Sequence, residues 1–207
     1  LAGANRIVEA TSLVRKSVPP DTTVDATLQT NGVLLKRSDL QLFRQHQVSV
    51  SISIDGDLAA NNLHRLDHAG RSTFDATFKA IRLLDDFKDI FGGLICVIDP
   101  KVPPDRLLSF FSDLAPPSLD LLLPDANHLV LPPDRESNLS IDENWLIVAF
   151  DLWFDHYPEM RIRTFDTLLD ATAGLPSKTD AFGFGDISML TIETDGSYHD
   201  LDDLKIT

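Results

Sequence analysis

Apolar and polar residues alternate in two stretches of the chain, and each stretch ends on a polar cluster. Thr27 to Leu35 reads TLQTNGVLL, and Val48 to Gly56 reads VSVSISIDG. In the second, Val48, Val50, Ile52 and Ile54 fall on one side of an extended chain, and their β-branched character supports a strand. Val24 to Gln29 reads as a shorter strand before the first cluster. Leu94 to Ile98 and Leu119 to Leu123 are continuous apolar runs, the pattern of parallel strands covered on both faces. Between them the spacing is helical. Asn5 to Lys16 places Ile7, Val8, Ala10, Leu13 and Val14 on one face, and Pro19 and Pro20 stop that helix. Ser38 is positioned to cap a helix reaching about His46. Ser72, with Asp75 three residues on, opens a helix whose stripe is Phe74, Phe78, Ile81, Leu84 and Phe87. Pro104 to Leu114 is a fourth helix. Ser140 with Glu143 opens a fifth, carrying Trp145, Ala149, Leu152, Trp153 and His156.

Gly56 to Arg71 and Asp125 to Asn138 are polar and irregular and read as loops, the second with Pro132 and Pro133. Arg161 to Thr164 reads as a short strand before a helix from Phe165 to Ala171. Gly174 to Gly185 is loop-like. Ser188 to Thr194 is strand-like, and Asp195-Gly196 marks a hairpin turn. Strand followed by helix, four times over, predicts parallel βα units joined by right-handed crossovers.

Composition narrows the setting. The chain has 207 residues, 43% of them hydrophobic, enough to bury a sizeable core. No apolar run is long enough for a membrane-spanning helix, and no secretory signal pattern is seen. Starting at Leu1 without a leader suggests a chain that begins inside a larger protein. The formal net charge of −14 argues against a nucleic-acid partner and suits a basic peptide. A single cysteine, Cys96, makes no internal disulfide, fits a reducing cytoplasm, and cannot alone hold a metal cluster.

In βα barrels ligands bind at the carboxyl ends of the strands. Those ends carry Gln29-Thr30-Asn31-Gly32, Ser53-Ile54-Asp55-Gly56, Asp99-Pro100 and Pro124-Asp125. Two of the clusters offer an amide, hydroxyls and a carboxylate, groups that bind a ribose diol or an amino acid. Taken singly, Asn-Gly and Asp-Gly are turns; their matching placement on successive strands favours a site. Arg65, in the loop beyond the second cluster, could grip a carboxylate with two parallel hydrogen bonds. His64 and His68 flank it without a clear third ligand for a metal. His46, His128, His156 and His199 are scattered. The two tryptophans read as core, and Cys96 as a buried, inert thiol. The acidic residues Asp195, Asp200, Asp202 and Asp203 lack the spacing of a calcium loop. No phosphate-binding lysine loop, nucleophile elbow or zinc-protease helix occurs.

The ordered set LQTNGVLL, VSVSISIDG, Arg65 and GRSTFDATFKAIRLL resembles the radical SAM enzymes with SPASM-type C-terminal extensions. The closer similarity is to cyclophane-forming, FxsB-like maturases that crosslink side chains of ribosomal precursor peptides (RiPPs). LICVID (Leu94 to Asp99), RIRTFD (Arg161 to Asp166) and the hairpin from Glu193 to Tyr198 resemble that family's LLCTID-, RIRLFD- and ETDGSY-like segments. The resemblance implies a partial (β/α)6 barrel over residues 1–172 and the start of the extension over 173–207. It implies that Gln29 and Ser53 approach the ribose of S-adenosylmethionine and that Arg65 holds its methionine carboxylate. Asn31 and Asp55 would shape the pocket rim. The parent would also carry a [4Fe-4S] cluster on cysteines spaced CxxxCxxC. This chain departs from the pattern: only Cys96 is present, the glycine-rich GGEP segment is absent, and Asp57, Asn61 and Asn62 stand where Gly-Pro and His-Asp are usual.

Three functions are therefore expected in competition. The chain is part of a radical SAM peptide maturase, not competent alone. Or it is a non-catalytic module that binds a basic peptide or another partner. Or it is an unrelated barrel lyase or hydrolase with Asp55 and Asp99 as acid and base. A sheet edge near Thr23 to Gln29 should pair in a dimer, be covered by the first helix, or depend on further chain segments.

Overall fold

The computed structural model describes residues 3–124, 140–176 and 190–199. The expected loop from Asp125 to Asn138, with His128, lies outside these residues. So do the start of the last predicted strand at Ser188, most of the Gly174 to Gly185 segment, and Asp200, Asp202 and Asp203. Four strands, β1 (Ala26–Thr30), β2 (Val48–Ser53), β3 (Phe91–Val97) and β4 (Leu119–Leu122), form one parallel sheet in sequence order. Helices alternate with them: α1 (Ala4–Ser17), α2 (Arg37–Gln45), the single turn α3 (Leu58–Asn61), α4 (Phe74–Leu84), α5 (Pro104–Leu114), α6 (Ile141–His156) and α7 (Arg163–Thr172). The α/β class with mainly parallel strands is as the strand–helix rhythm predicts.

The register sorts the sheet into two unlike faces. On one, Val48, Val50, Ile52 and Ile54 join Leu94, Cys96, Ile98, Leu119 and Leu121, all buried. The helices complete this core with Leu40, Phe43, Ala80, Ile81, Leu84, Leu107, Leu108 and Phe111, and with Trp145, Ala149, Trp153 and Phe165. Burying one such aliphatic side chain is worth about 1.5–3 kcal/mol, so this face dominates stability. The other face follows from the pairs Thr27↔Ser49, Gln29↔Ser51, Ser53↔Ile95 and Ile95↔Asp120. It carries mainly polar side chains with Ile95 among them, and Leu122 at its end is exposed. Coverage on both faces, expected from the apolar runs, is therefore not what the described residues show. The β2 serines stand on an inner wall rather than beneath a second helix layer.

Several boundaries shift for local reasons. Helix α2 starts before Ser38, where the Asp39 carboxylate accepts the Lys36 backbone N–H at 3.0 Å. Helix α6 starts where expected, with Ser140 at the N-cap position, although the Ser140 side chain makes no cap bond. Along α4 the deeply buried positions are Thr77, Ala80, Ile81 and Leu84, while Phe74 and Phe78 stack on each other 5.5 Å apart at its margin. The small Thr77 and Ala80 let the first polar cluster come close. Gly32 has φ +73°, and a Cβ there would lie 2.9 Å from the Ala80 Cβ. The strand expected from Arg161 to Thr164 is reduced to one parallel bridge, Leu119↔Ile162, because α7 begins at Arg163. The Thr164 hydroxyl then bonds the Leu121 carbonyl oxygen at 2.8 Å, occupying the edge that a longer strand would have used. A separate antiparallel pair, β5 (Thr191–Ile192) and β6 (Tyr198–His199), closes over Asp195-Gly196 as the hairpin signal indicates. Among the described residues no helix is long and apolar enough to cross a membrane.

Candidate functional site

Parallel pairing brings the carboxyl ends of β1 and β2 side by side, Gln29 against Ser51 and Thr30 against Ile52. The Gln29 side-chain amide then reaches further along β2 and donates to the Ser53 hydroxyl at 3.2 Å. Gln29 is exposed and Ser53 is 7% exposed, so an open amide meets a buried hydroxyl at the mouth of the inner wall. The hydroxyl keeps its own proton to donate, and the Gln29 carbonyl oxygen remains available as an acceptor.

Beyond Ser53, Asp55 turns inward. Its carboxylate takes the Arg65 guanidinium side-on, Oδ2 accepting from Nε at 2.5 Å and Oδ1 from Nη2 at 2.8 Å. Oδ1 also accepts the Val97 backbone N–H at 3.1 Å, which ties β2 to β3. Asp55 is thus buried and clasped to Arg65. A guanidinium has five N–H donors; this clasp uses two, so Nη1 and the second Nη2 hydrogen can still take a second carboxylate end-on.

The segment read as a plain loop contains α3. Asp57 caps it, accepting from the backbone N–H groups of Ala59 and Ala60 at 3.1 and 3.0 Å, and pairs with Arg106 of α5. Burial acts to raise the Asp57 carboxyl, but the Ala60 N–H and the Arg106 guanidinium outweigh it and hold it below its ordinary value. This residue was a departure in the sequence pattern, and in the structure it is a helix cap.

The other candidates divide. Asn31 makes a turn: its Oδ1 accepts the Val33 N–H at 3.2 Å, and its carbonyl oxygen accepts the Thr77 hydroxyl at 2.8 Å. His64 Nε2 lies 2.8 Å from Asp99 Oδ2, an association the sequence did not signal. With Asp99 held by His64 and by the Lys101 N–H, and Asp55 held by Arg65, neither carboxylate is free for the acid–base pair of the lyase or hydrolase reading. Cys96 is wholly buried. Desolvation, then the charge of Asp55, pushes its thiol well above the ordinary range, which suits an inert core residue. Among the described residues no three metal-ligating side chains gather. The roles that sequence reasoning missed are those of Asp57, Asn61 and Thr73, and the contact of Asp99 with His64. Asp57 alone had a local signal, an acidic residue directly before Leu-Ala-Ala.

No family model matches the sequence. The serine-type anaerobic sulfatase-maturating enzyme of Klebsiella aerogenes is 35% identical over 97 residues, 47% of this chain and 24% of that protein. The cysteine-type enzyme of Clostridium novyi is 27% identical over 221 residues, all of this chain and 58% of that protein. Both of these relatives are anaerobic sulfatase-maturating enzymes. Among solved structures, native anSMEcpe with bound AdoMet and Cp18Cys peptide superimposes with a TM-score of 0.86 at 22% identity, covering 99% of this chain and 58% of that one. A histidine-tagged anSMEcpe with bound AdoMet gives 0.85 at 22% identity, over 99% and 55%. The fold is therefore that of the sulfatase-maturating enzymes, and the chain spans between a quarter and somewhat over half the length of the relatives it matches. The cyclophane-forming subtype is a finer assignment that these relatives do not carry.

Proposed function

We propose that this chain is the central part of an AdoMet-dependent radical enzyme that modifies a side chain of a peptide substrate. The observation that carries the proposal is the hydrogen bond between Gln29 and Ser53 at the carboxyl ends of adjacent parallel strands, beside an arginine with donors to spare. In this reading Gln29 and Ser53 meet the ribose hydroxyls of AdoMet, as acceptor and donor respectively. Arg65 takes the methionine carboxylate on its Nη1/Nη2 edge. Asn31 supports the turn below Gln29, and Asp55 orients Arg65. When bound and reduced, AdoMet supplies hydrogen-atom abstraction; the chain's own residues bind and orient it. The donor set fits AdoMet. It does not fit a [4Fe-4S] cluster, because the one cysteine is buried in the core.

The domain division follows the same reading: a partial barrel over residues 1–172, then the opening of a SPASM-like extension containing β5 and β6. Crosslinking of a ribosomal precursor peptide in the cytoplasm is the finer form of the proposal. Sulfatase-type side-chain oxidation is its nearest alternative, and the product on a peptide pool distinguishes them. Calorimetry of the chain with AdoMet tests the core. Binding weakened about tenfold or more by Arg65→Lys, which keeps the charge and loses the fork, is the expected result. Failure of the unaltered chain to bind AdoMet overturns the proposal.

The single buried cysteine and the net charge of −14 favour a second reading, a non-catalytic module for a basic peptide. Micromolar binding of a lysine-rich peptide, with no response to AdoMet, would establish it in place of the first.

A further inference from the structure

Asn61 is completely buried at the end of α3 and touches both members of the Asp55–Arg65 pair through the backbone. Its Oδ1 accepts the Asp55 N–H at 3.2 Å. Its carbonyl oxygen accepts the Arg65 N–H at 2.9 Å, and its own N–H donates to the Asp57 carbonyl oxygen at 2.8 Å. The Asp55 N–H can be met only by an acceptor, which fixes the orientation of the amide. That orientation leaves Nδ2 buried with no partner among the described residues. An unmet buried donor is costly, and a leucine of similar size would avoid the cost. The use of the amide therefore lies in Oδ1, at the one backbone position that aims the Asp55 carboxylate. The backbone of Arg65 is held on its other side too, by the Thr73 hydroxyl on its carbonyl oxygen at 2.8 Å.

We infer that Asn61 is a positioning residue: through Asp55 it sets the guanidinium of Arg65 so that the Nη1/Nη2 edge is presented to a ligand carboxylate. The inference rests on the AdoMet reading for the identity of that ligand, but not for the geometry. An arginine on a long flexible stem loses rotamer freedom when it grips a ligand. Here that freedom is already lost in the folded chain, because the Asp55 carboxylate clasps the guanidinium while the backbone of Arg65 and the N–H of Asp55 are themselves fixed. The carboxylate is then recognised by a preorganised fork rather than by a mobile charge. A purely structural asparagine would affect all ligands alike. A positioning asparagine affects only those that carry the carboxylate.

The experiment compares AdoMet with decarboxylated AdoMet, which lacks only the carboxylate, on the full chain and on Asn61→Ser and Asn61→Ala. The unaltered chain is expected to prefer AdoMet by about tenfold or more. Both variants are expected to reduce the preference to less than about threefold, with decarboxylated AdoMet bound within about twofold of its original affinity. Equal weakening of both ligands, or an unchanged preference, overturns the inference. Should the unaltered chain bind neither ligand, the AdoMet reading itself fails. The positioning role is then judged alone by 15N NMR of Arg65. The Nε–H, protected from solvent exchange by Asp55, is expected to exchange about tenfold faster or more in Asn61→Ser, and unchanged protection overturns the role.

Discussion

Asn31 and Gln29 stand two residues apart in one polar cluster, yet only one of them faces the site. Gln29 reaches Ser53, whereas the Asn31 side chain is taken up by the Val33 N–H. The local chemistry of Asn-Gly states a turn, and a turn is what forms; nothing local states that the preceding glutamine will meet a serine 24 positions away. Gly32 shows the same limit from the other side. Its need for a left-handed backbone is legible beside Asn31, but the crowding by Ala80 and Ile52 is tertiary. Gly32→Ala is expected to destabilise the fold by about 1–3 kcal/mol through backbone strain and overpacking together. Urea denaturation measures it; a loss below about 0.5 kcal/mol would show that α4 gives way. Cys96 was readable as inert because its apolar neighbours in the strand place it in the core.

At the level of elements, α3 is the clearest case of structure hidden in an irregular stretch. One turn of helix has almost no periodicity to read, and it persists because Asp57 caps it and Arg106 of α5 pins the cap. Asp57→Ala is expected to cost about 1 kcal/mol, the usual effect of losing a cap, whereas Asp57→Asn keeps the cap and loses the ion pair. Because the folded-state pKa of Asp57 lies below its ordinary 3.8, its charged form adds stability that is fully present above that ordinary value. That stability is lost as the pH falls through the lowered value. Asp57→Asn should therefore flatten the acid limb of the stability profile below about pH 4. Thermal melts across roughly pH 2–6 would show this, and an unchanged limb would assign the acid sensitivity to other carboxylates. Helix α6 misleads in the opposite sense. Trp145 and Trp153 are core as expected, each donating its indole N–H to a backbone carbonyl oxygen, of Val102 and Met160 respectively. Its other face nevertheless exposes Ile147, Val148 and Phe154, because the helix is apolar nearly all round.

For the molecule as a whole, the sheet order makes β1 an edge, paired only with β2 among the described strands. Helix α1 packs on α2 and is anchored by Arg15, which donates to the carbonyl oxygens of Val24, His46 and Gln47. An edge of this kind offers unpaired backbone groups to another strand. The chain is expected to self-associate at micromolar concentration, and Thr27→Lys, which places a charge on that edge strand, is expected to shift it towards monomer. Sedimentation velocity measures both; a monomer at every concentration would mean the edge is protected. The same sheet order explains the two unlike faces. The alternation in VSVSISI states which residues share a face, and β-branched side chains go to the helix-covered side because burial stabilises them most there. What covers the other side is a property of curvature and of neighbouring segments.

By itself the sequence determined the period of each element, hence the parallel βα order, the core-facing residues and the placement of polar clusters at strand ends. These follow from side-chain spacing and backbone preference, which act over a few residues. Tertiary structure alone decided that Gln29 meets Ser53, that Asp55 clasps Arg65, and that Asn61 fixes the clasp. Each of these depends on pairing register and on the path of a loop returning to the sheet, and both are set by packing between segments distant along the chain.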